Sequence, residues 1–393
     1  MIDFVIVFVL LFVINQILLK GLSNKFSFFD KKLMNRLYWY HLLFFLIYFT
    51  YATFNASDSK SYYFDASIPT EDWFSLFKSG TKFIVFVASP FVQFGFSYIT
   101  LMLIFSWFGY IGFVFAYLFF KENITINVTV FKRYDLLTLL LFLPNMHFWT
   151  ASLGKGSLIF MGLMLFIYAL RFPQKRLFAL ILGGFLVYMI RPHVMLFVLV
   201  GVMVGILTGK SKIGGGVKFL VLVVSIGFLY LAQNSILGVA NLEGSENVIE
   251  DFDQFAAQQS GRLVTSGSGV DMSNYPLPFK FFTFWFRPLF IDSPSALGIF
   301  SSIENLIYLL LFAKICNKRF LSFILKAPYL VKTSLIIFLL SSFALTFVMS
   351  NLGIIMRQKS MVMYFGFFVI YYFLASEKYE MMQKNKPNPV VIT

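Results

Sequence analysis

Long apolar runs separated by short polar stretches repeat along the whole chain. They fall near residues 3–19, 37–54, 97–120, 136–151, 156–171, 177–190, 193–208, 217–236, 297–315, 333–350 and 360–375. A helix that crosses a bilayer needs about 20 mostly apolar residues. The pattern therefore predicts an all-α, polytopic membrane protein with about 11 transmembrane helices, forming one integral membrane domain over residues 1–393. Several runs are short for a full crossing. The first has no basic residue before it and no small-residue cleavage site, and Lys20 follows it, so it reads as a retained helix and not as a removed signal peptide.

The polar stretches alternate in charge. Taking alternate loops together, one side collects 22 of the 32 lysines and arginines, among them Lys25, Lys31, Lys121, Arg171, Arg176, Lys210, Lys318, Lys332 and Lys378. The basic side is expected to be cytoplasmic, which puts the N-terminus outside and the C-terminus inside. Acids lean the other way, at Asp58, Asp65, Glu71 and Asp72 and at Glu243, Glu246, Glu250, Asp251 and Asp253. Two loops on the acidic side, about 55–96 and 237–296, are longer than a connection needs. In the first, Phe83–Phe96 reads as an interfacial helix interrupted at Ser89-Pro90. The second ends in the aromatic run Phe279–Phe290 and is expected to wall or cover a cavity. No internal repeat is visible, which counts against a transporter built from two related halves.

Composition agrees: 59% of residues are hydrophobic and 13% charged, with a mean hydropathy of +0.79. No soluble core of this length hides that much apolar surface. The net charge of +14 would suggest nucleic acid in a soluble chain. Here the charges flank apolar runs, so they read as a topology signal and a contact with membrane lipid, and nucleic acid is not an expected partner. The one cysteine, Cys316, excludes an intramolecular disulfide and a thiolate metal cluster.

Each turn on the acidic side carries an ionisable or hydrogen-bonding residue that is costly at membrane depth and is expected to face the bundle interior or a wet cavity. In order they are Asp58 and Asp65; His147, Trp149 and Lys155; Arg191 and His193; Arg287 and Asp292; and Arg357 and Lys359. Together they predict one outward cavity with carboxylates on one wall and cations on another. Arginine forks and a lysine point charge suit phosphate or pyrophosphate, which assigns that role to Lys155, Arg191, Arg287 and Arg357. A carboxylate beside them suits a base for an acceptor hydroxyl or a ligand for a divalent cation. His147 and His193 face the same side; two histidines do not define a zinc site, and no resident metal is assigned. His41 reads as structural. Lys82, Lys280 and Lys359 read as side chains that snorkel to headgroups. Glu304, inside an apolar run, needs a partner, an arginine being one candidate. Trp149, Trp285 and Tyr62 offer rings on which sugars stack.

Several short motifs occur in sequence: Asp58-Ser-x-x-Tyr62-Tyr63; Phe148-Trp-Thr-Ala-Ser-x-x-Lys155-Gly-Ser157; Arg191-Pro-His193; Arg287-Pro288; and Asn351-Leu-Gly-x-x-x-Arg357. The chain resembles bacterial polytopic surface-polysaccharide enzymes, namely the exopolysaccharide and O-antigen polymerases and their C-type glycosyltransferase relatives. The resemblance covers most of the chain. It implies a membrane glycosyltransferase or polymerase of the bacterial plasma membrane that acts on polyprenyl-phosphate-linked sugars at the extracytoplasmic face. A glycan acceptor and other polysaccharide-assembly proteins would be its partners. In the C-type enzymes an acidic residue of the first outer loop is base or metal ligand, and Asp58 is the matching position, with Asp65 second. The chain departs from that pattern in a helix before this loop and in a modest soluble portion. A flippase for the same lipid-linked sugars and a non-catalytic assembly protein are the alternatives.

Overall fold

The structure, a computed structural model, describes residues 2–69, 72–211, 214–237, 248–264, 268–272, 274–292 and 296–385. Of the charged residues expected in the loops, Glu71, Glu243 and Glu246 lie outside these, as do the side chains of Glu250, Asp251 and Asp253.

All eleven apolar runs are helical. Helices α1 (Ile2–Lys25) and α2 (Lys31–Phe54) form a hairpin. The first long loop supplies α3 (Asp58–Ser67) and α4 (Thr81–Gln93) before α5 (Tyr98–Asn123). A short hairpin of β1 (Thr129–Val130) and β2 (Tyr134–Asp135) leads to α6 (Leu136–Leu141) and α7 (Pro144–Thr150). There follow α8 (Lys155–Leu170), α9 (Leu177–Ile190), α10 (Pro192–Thr208) and α11 (Gly215–Leu237). The second long loop holds α12 (Val248–Val264) and α13 (Leu277–Phe286). The last helices are α14 (Ala296–Ala313), α15 (Lys318–Lys326), α16 (Tyr329–Val348) and α17 (Leu352–Lys384).

The expected count of about 11 transmembrane helices is corrected downward. Among the described residues four helices, α1, α2, α5 and α16, are long and apolar enough to cross a membrane. The number reaches six if α14 with α15, bent by 79°, and the two parts of α17, bent by 55° at Lys359, each count as one span. Length is the reason. Helix α9 has 14 residues, about 21 Å at 1.5 Å per residue, against a hydrocarbon layer about 30 Å thick. The run 136–151 is split into α6 and α7 at Pro144. An apolar run reports burial in lipid or in protein, and does not say which.

Both environments occur. Helix α5 is the centre of the bundle: its apolar window is 78% buried, against 22% for α1, whose Val5, Val9 and Ile17 face outward. Glycines let α5 sit tightly, since a Cβ on Gly109 would lie 2.2 Å from the Thr150 carbonyl oxygen. An apolar surface as extensive as that of α1 belongs in lipid. The chain is a multi-pass membrane protein.

Prolines shape the acidic side. The expected interruption at Ser89-Pro90 does not occur, and α4 runs through Pro90. The missing proline N–H frees the Phe86 carbonyl, which accepts from Trp73 Nε1 at 3.0 Å. Pro192 does break the chain, ending α9 at Ile190 and starting α10 with Arg191 between them.

Hydrogen bonds and ion pairs tie the two ends of the bundle separately. At one end Asp3 accepts from the Ser97 N–H and the Thr100 hydroxyl, Gly80 N–H donates to the Met189 carbonyl, and Arg357 meets Asp58. At the other, Tyr117 donates to the Phe28 carbonyl, Arg176 meets Glu122, and Lys332 and Lys378 donate to the Thr208 and Asn127 carbonyls. The second end is the one to which the alternating loops assign most lysines and arginines.

Candidate functional site

The cation cluster forms where four elements meet at the acidic end. Ser57 caps α3, accepting from the Ser59 N–H, which sets Asp58 in the first helical turn. Lys155 opens α8, Arg191 fills the break between α9 and α10, His193 stands in the first turn of α10, and Arg357 lies in α17. Lys155 is within electrostatic reach of Arg191, Arg357 and Asp58, and His193 of Arg191 and Lys155. Arg357 Nη1 donates to Asp58 Oδ2 at 2.6 Å, with the Arg357 side chain 27% exposed and that of Asp58 56%. The same guanidinium lies 5.8 Å from the Trp149 ring centre and hydrogen-bonds Tyr62, which is buried. Arg191 Nε and His193 Nδ1 are buried and have no hydrogen-bond partner. Arg357 and Lys155 thus share the Asp58 carboxylate, with Arg191 beside them.

Asp65 is not brought into this cluster. It is exposed on α3, seven residues or about 10 Å along the helix from Asp58.

Arg287 stands apart as well. It caps the end of α13 and is held by Asp292, with Nε at 3.0 and 3.1 Å from the two carboxylate oxygens and Nη2 at 2.5 Å. The hydrogen bond to Asp292 raises the Arg287 pKa. Burial pushes the Asp292 carboxyl up, but the bonds from Arg287 and the Leu289 N–H outweigh it and hold the group below its ordinary value.

This pair lines a cavity of about 820 Å³ beside the cluster. Phe44, Ile47, Phe148 and Phe300 give it apolar walls, while Asn145 and Glu304 supply polar atoms. Trp149 belongs to both places, lining the cavity and meeting Arg357.

Below the cavity is a buried polar group that sequence reasoning did not assemble. Lys359, expected to snorkel, is fully buried. It donates to Asn305 Oδ1 at 2.5 Å, the Arg287 carbonyl at 3.0 Å and the Trp285 carbonyl at 3.3 Å. Asn305 in turn donates to the Pro288 carbonyl at 2.7 Å. Among the described residues Glu304 has no arginine partner; it accepts from the Asn145 N–H at 2.7 Å and from the Tyr308 hydroxyl. Adjacent residues of α14 therefore hold two chain breaks, Glu304 the start of α7 and Asn305 the end of α13. The start of a helix leaves N–H groups unpaired, so Pro144 at the head of α7 was a signal that an acceptor such as Glu304 would be needed.

His147 is corrected from the outward cavity to the core. Its Nδ1 lies 2.8 Å from His41 Nδ1, its Nε2 lies 2.7 Å from the Leu141 carbonyl, and its ring stacks on Phe113 at 4.0 Å. His41 Nε2 meets the Ser106 carbonyl at 3.0 Å. Trp285 likewise packs inward, bonding Ser342 and stacking on Phe338.

Among the described residues no three His, Cys, Asp or Glu side chains gather to hold a metal ion. The cluster as described does not fit a resident divalent cation either, because Asp58, its one carboxylate among the described residues, is occupied by Arg357 and flanked by further cations.

Fold and site together define a helical multi-pass membrane protein with a cation cluster and an adjoining cavity at one end. Comparison of the chain with protein-family models, with curated proteins and with solved structures finds no match.

Proposed function

We propose that the chain is a membrane glycosyltransferase or polysaccharide polymerase that takes sugars from polyprenyl-phosphate or pyrophosphate carriers at the extracytoplasmic face of a bacterial plasma membrane. The supporting observation is the surplus of positive charge: Lys155 and Arg357 share Asp58, Arg191 lies beside them, and Arg191 Nε and His193 Nδ1 are buried without partners. Buried donors without acceptors are costly, and a phosphate arriving with the substrate offsets that cost. Arg191 and Arg357 grip its oxygens and Lys155 adds charge. As the sugar C1–O bond breaks, the leaving phosphate keeps the electron pair and the cations stabilise it. The acceptor hydroxyl attacks C1 and gives its proton to Asp58. In the structure Asp58 is engaged with Arg357, so a phosphate that draws Arg357 away also frees the base. The sugar fits the adjoining cavity, against Trp149 and within reach of Asn145 and Glu304, while Arg287 keeps Asp292 in place at its rim.

Lysine keeps charge but loses the fork. Arg191→Lys and Arg191→Ala should therefore both cut surface-glycan production by about 100-fold or more at normal protein level. Asp58→Asn should abolish it and Asp65→Asn should not. Full glycan production by Arg191→Lys removes Arg191 from the site, and full production by Asp58→Asn removes the base. Sidedness is checked in intact cells: an impermeant thiol reagent should label a cysteine at Ser67 and not one at Ser322, and the reverse pattern inverts the topology.

A flippase or transporter is the second reading. It is favoured by the Glu304 and Lys359 side chains buried inside the bundle, where ionisable groups often mark a translocation path. On that reading Glu304→Gln stops movement of lipid-linked sugar across vesicle membranes, whereas Arg191→Lys leaves it intact.

A further inference from the structure

A second cavity, of about 520 Å³, opens at the opposite, lysine- and arginine-rich end, between the ends of α5, α8 and α10 and the start of α16. Its polar lining is rich in donors: Arg171, Lys210, Asn123, Ser211 and the tyrosines Tyr329 and Tyr372. Among the described residues no aspartate or glutamate lines it. Arg171 is fixed by its bonds to the Glu122 carbonyl and to Asn123 Oδ1. The carboxylate of neighbouring Glu122 is taken by Arg176 at 2.6 and 2.8 Å.

Lys210 is fixed through its backbone. Its N–H donates to the Ala327 carbonyl at 3.1 Å, and its carbonyl accepts from the Tyr329 N–H at 3.2 Å. The approach depends on glycine, since a Cβ on Gly209 would lie 2.3 Å from Tyr329 Cα. The Lys210 side chain is exposed. Next to it, Ser211 Oγ is buried and without a partner. Phe172 is an exposed apolar side chain on its wall, and Leu207, three residues before Lys210 on the last turn of α10, is exposed as well.

We propose that this cavity is a binding site for the headgroup phosphate of an anionic phospholipid. Arg171 and Lys210 supply charge, Ser211 supplies a hydroxyl donor, and Phe172 and Leu207 receive the start of the acyl chains. Two placed cations with no acid in the lining select a phosphate ester, and apolar neighbours select one that carries a lipid. The inference is independent of the reaction at the other end.

The test uses the full chain in nanodiscs of phosphatidylcholine alone or mixed with phosphatidylglycerol, with retained lipids counted by native mass spectrometry. The wild type should keep one phosphatidylglycerol per chain. Lys210→Glu should reduce that retention about tenfold, and Ser211→Val, which keeps the local charge, should reduce it by a smaller factor. Lys175→Glu, the same charge change at an exposed residue of the same end outside the cavity, should retain it. Equal retention of the two phospholipids, or equal losses in Lys210→Glu and Lys175→Glu, overturns the site. A gain in thermal stability from millimolar inorganic phosphate equal to that from phosphatidylglycerol overturns its assignment to a lipid.

Discussion

Helix α9 carries an arginine at each end, and the two are held in opposite ways. Arg176, before its first turn, makes two bonds to Glu122, one to the Tyr168 carbonyl at 3.0 Å, and lies 3.8 Å from the Tyr168 ring centre. Arg191, after its last turn, has a buried Nε with no partner and faces the charges of Lys155 and Arg357. Residue type does not separate them, since both are arginines in short polar breaks. The difference lies in what the fold brings to each. The saturated arginine ties α5 to α8 and α9, whereas the unsaturated one keeps a buried donor that, on the proposed function, an anion would fill.

The largest effect that would break this comparison is on activity. Arg176→Lys keeps the ion pair with Glu122 and should leave glycan production within about threefold of wild type once protein levels are matched, unlike the change at Arg191. On stability the order reverses. Arg176→Ala leaves the Glu122 carboxylate, 8% exposed, without its counter-charge and should cost about 3 kcal/mol. Arg191→Met removes an unpartnered donor and should cost nothing or stabilise. Thermal unfolding of the two purified variants reads this directly, and a larger loss in Arg191→Met would show that Arg191 is structural after all.

A smaller effect sharpens the contrast at a third arginine. Asp292 is held below its ordinary value, so its ion pair with Arg287 contributes fully above the ordinary carboxylate range. That contribution is lost as pH falls through the lowered value. The stability difference between wild type and Asp292→Asn should therefore be present at pH 7 and shrink as the medium is acidified below about pH 4. A difference that stays constant across that range would mean the carboxylate charge is not what holds Arg287.

The helices were legible because apolar runs are long, and the break at Arg191-Pro192 was legible because proline disfavours helical backbone in the residue before it, a tendency that α4 overrides at Pro90. The span count was not. A run such as 177–190 has the same composition whether lipid or protein surrounds it, and only its length and neighbours decide. Asp58, Lys155, Arg191, His193 and Arg357 share a side because the loop charges alternate, and the fold brings them together. The same reasoning misplaced His147 and Lys359. Each lies within two or three turns of the acidic end, but its side chain points to partners far along the chain, His41 in one case and Asn305 in the other. Such pairings depend on tertiary contacts that no local pattern encodes.

The histidine pair has a consequence in proton counting. Carbonyl oxygens only accept, so the contacts with Ser106 and Leu141 require hydrogen on Nε2 of both rings. Two neutral rings of that tautomer would then face each other at 2.8 Å with a lone pair on each Nδ1. The contact closes only if a third hydrogen is shared between them, which leaves one positive charge over the face of Phe113. Otherwise one ring takes the other tautomer and a carbonyl goes without its donor. The centre of the bundle therefore stores either a proton or an unmade bond, and α2, α5 and α7 meet around whichever it holds.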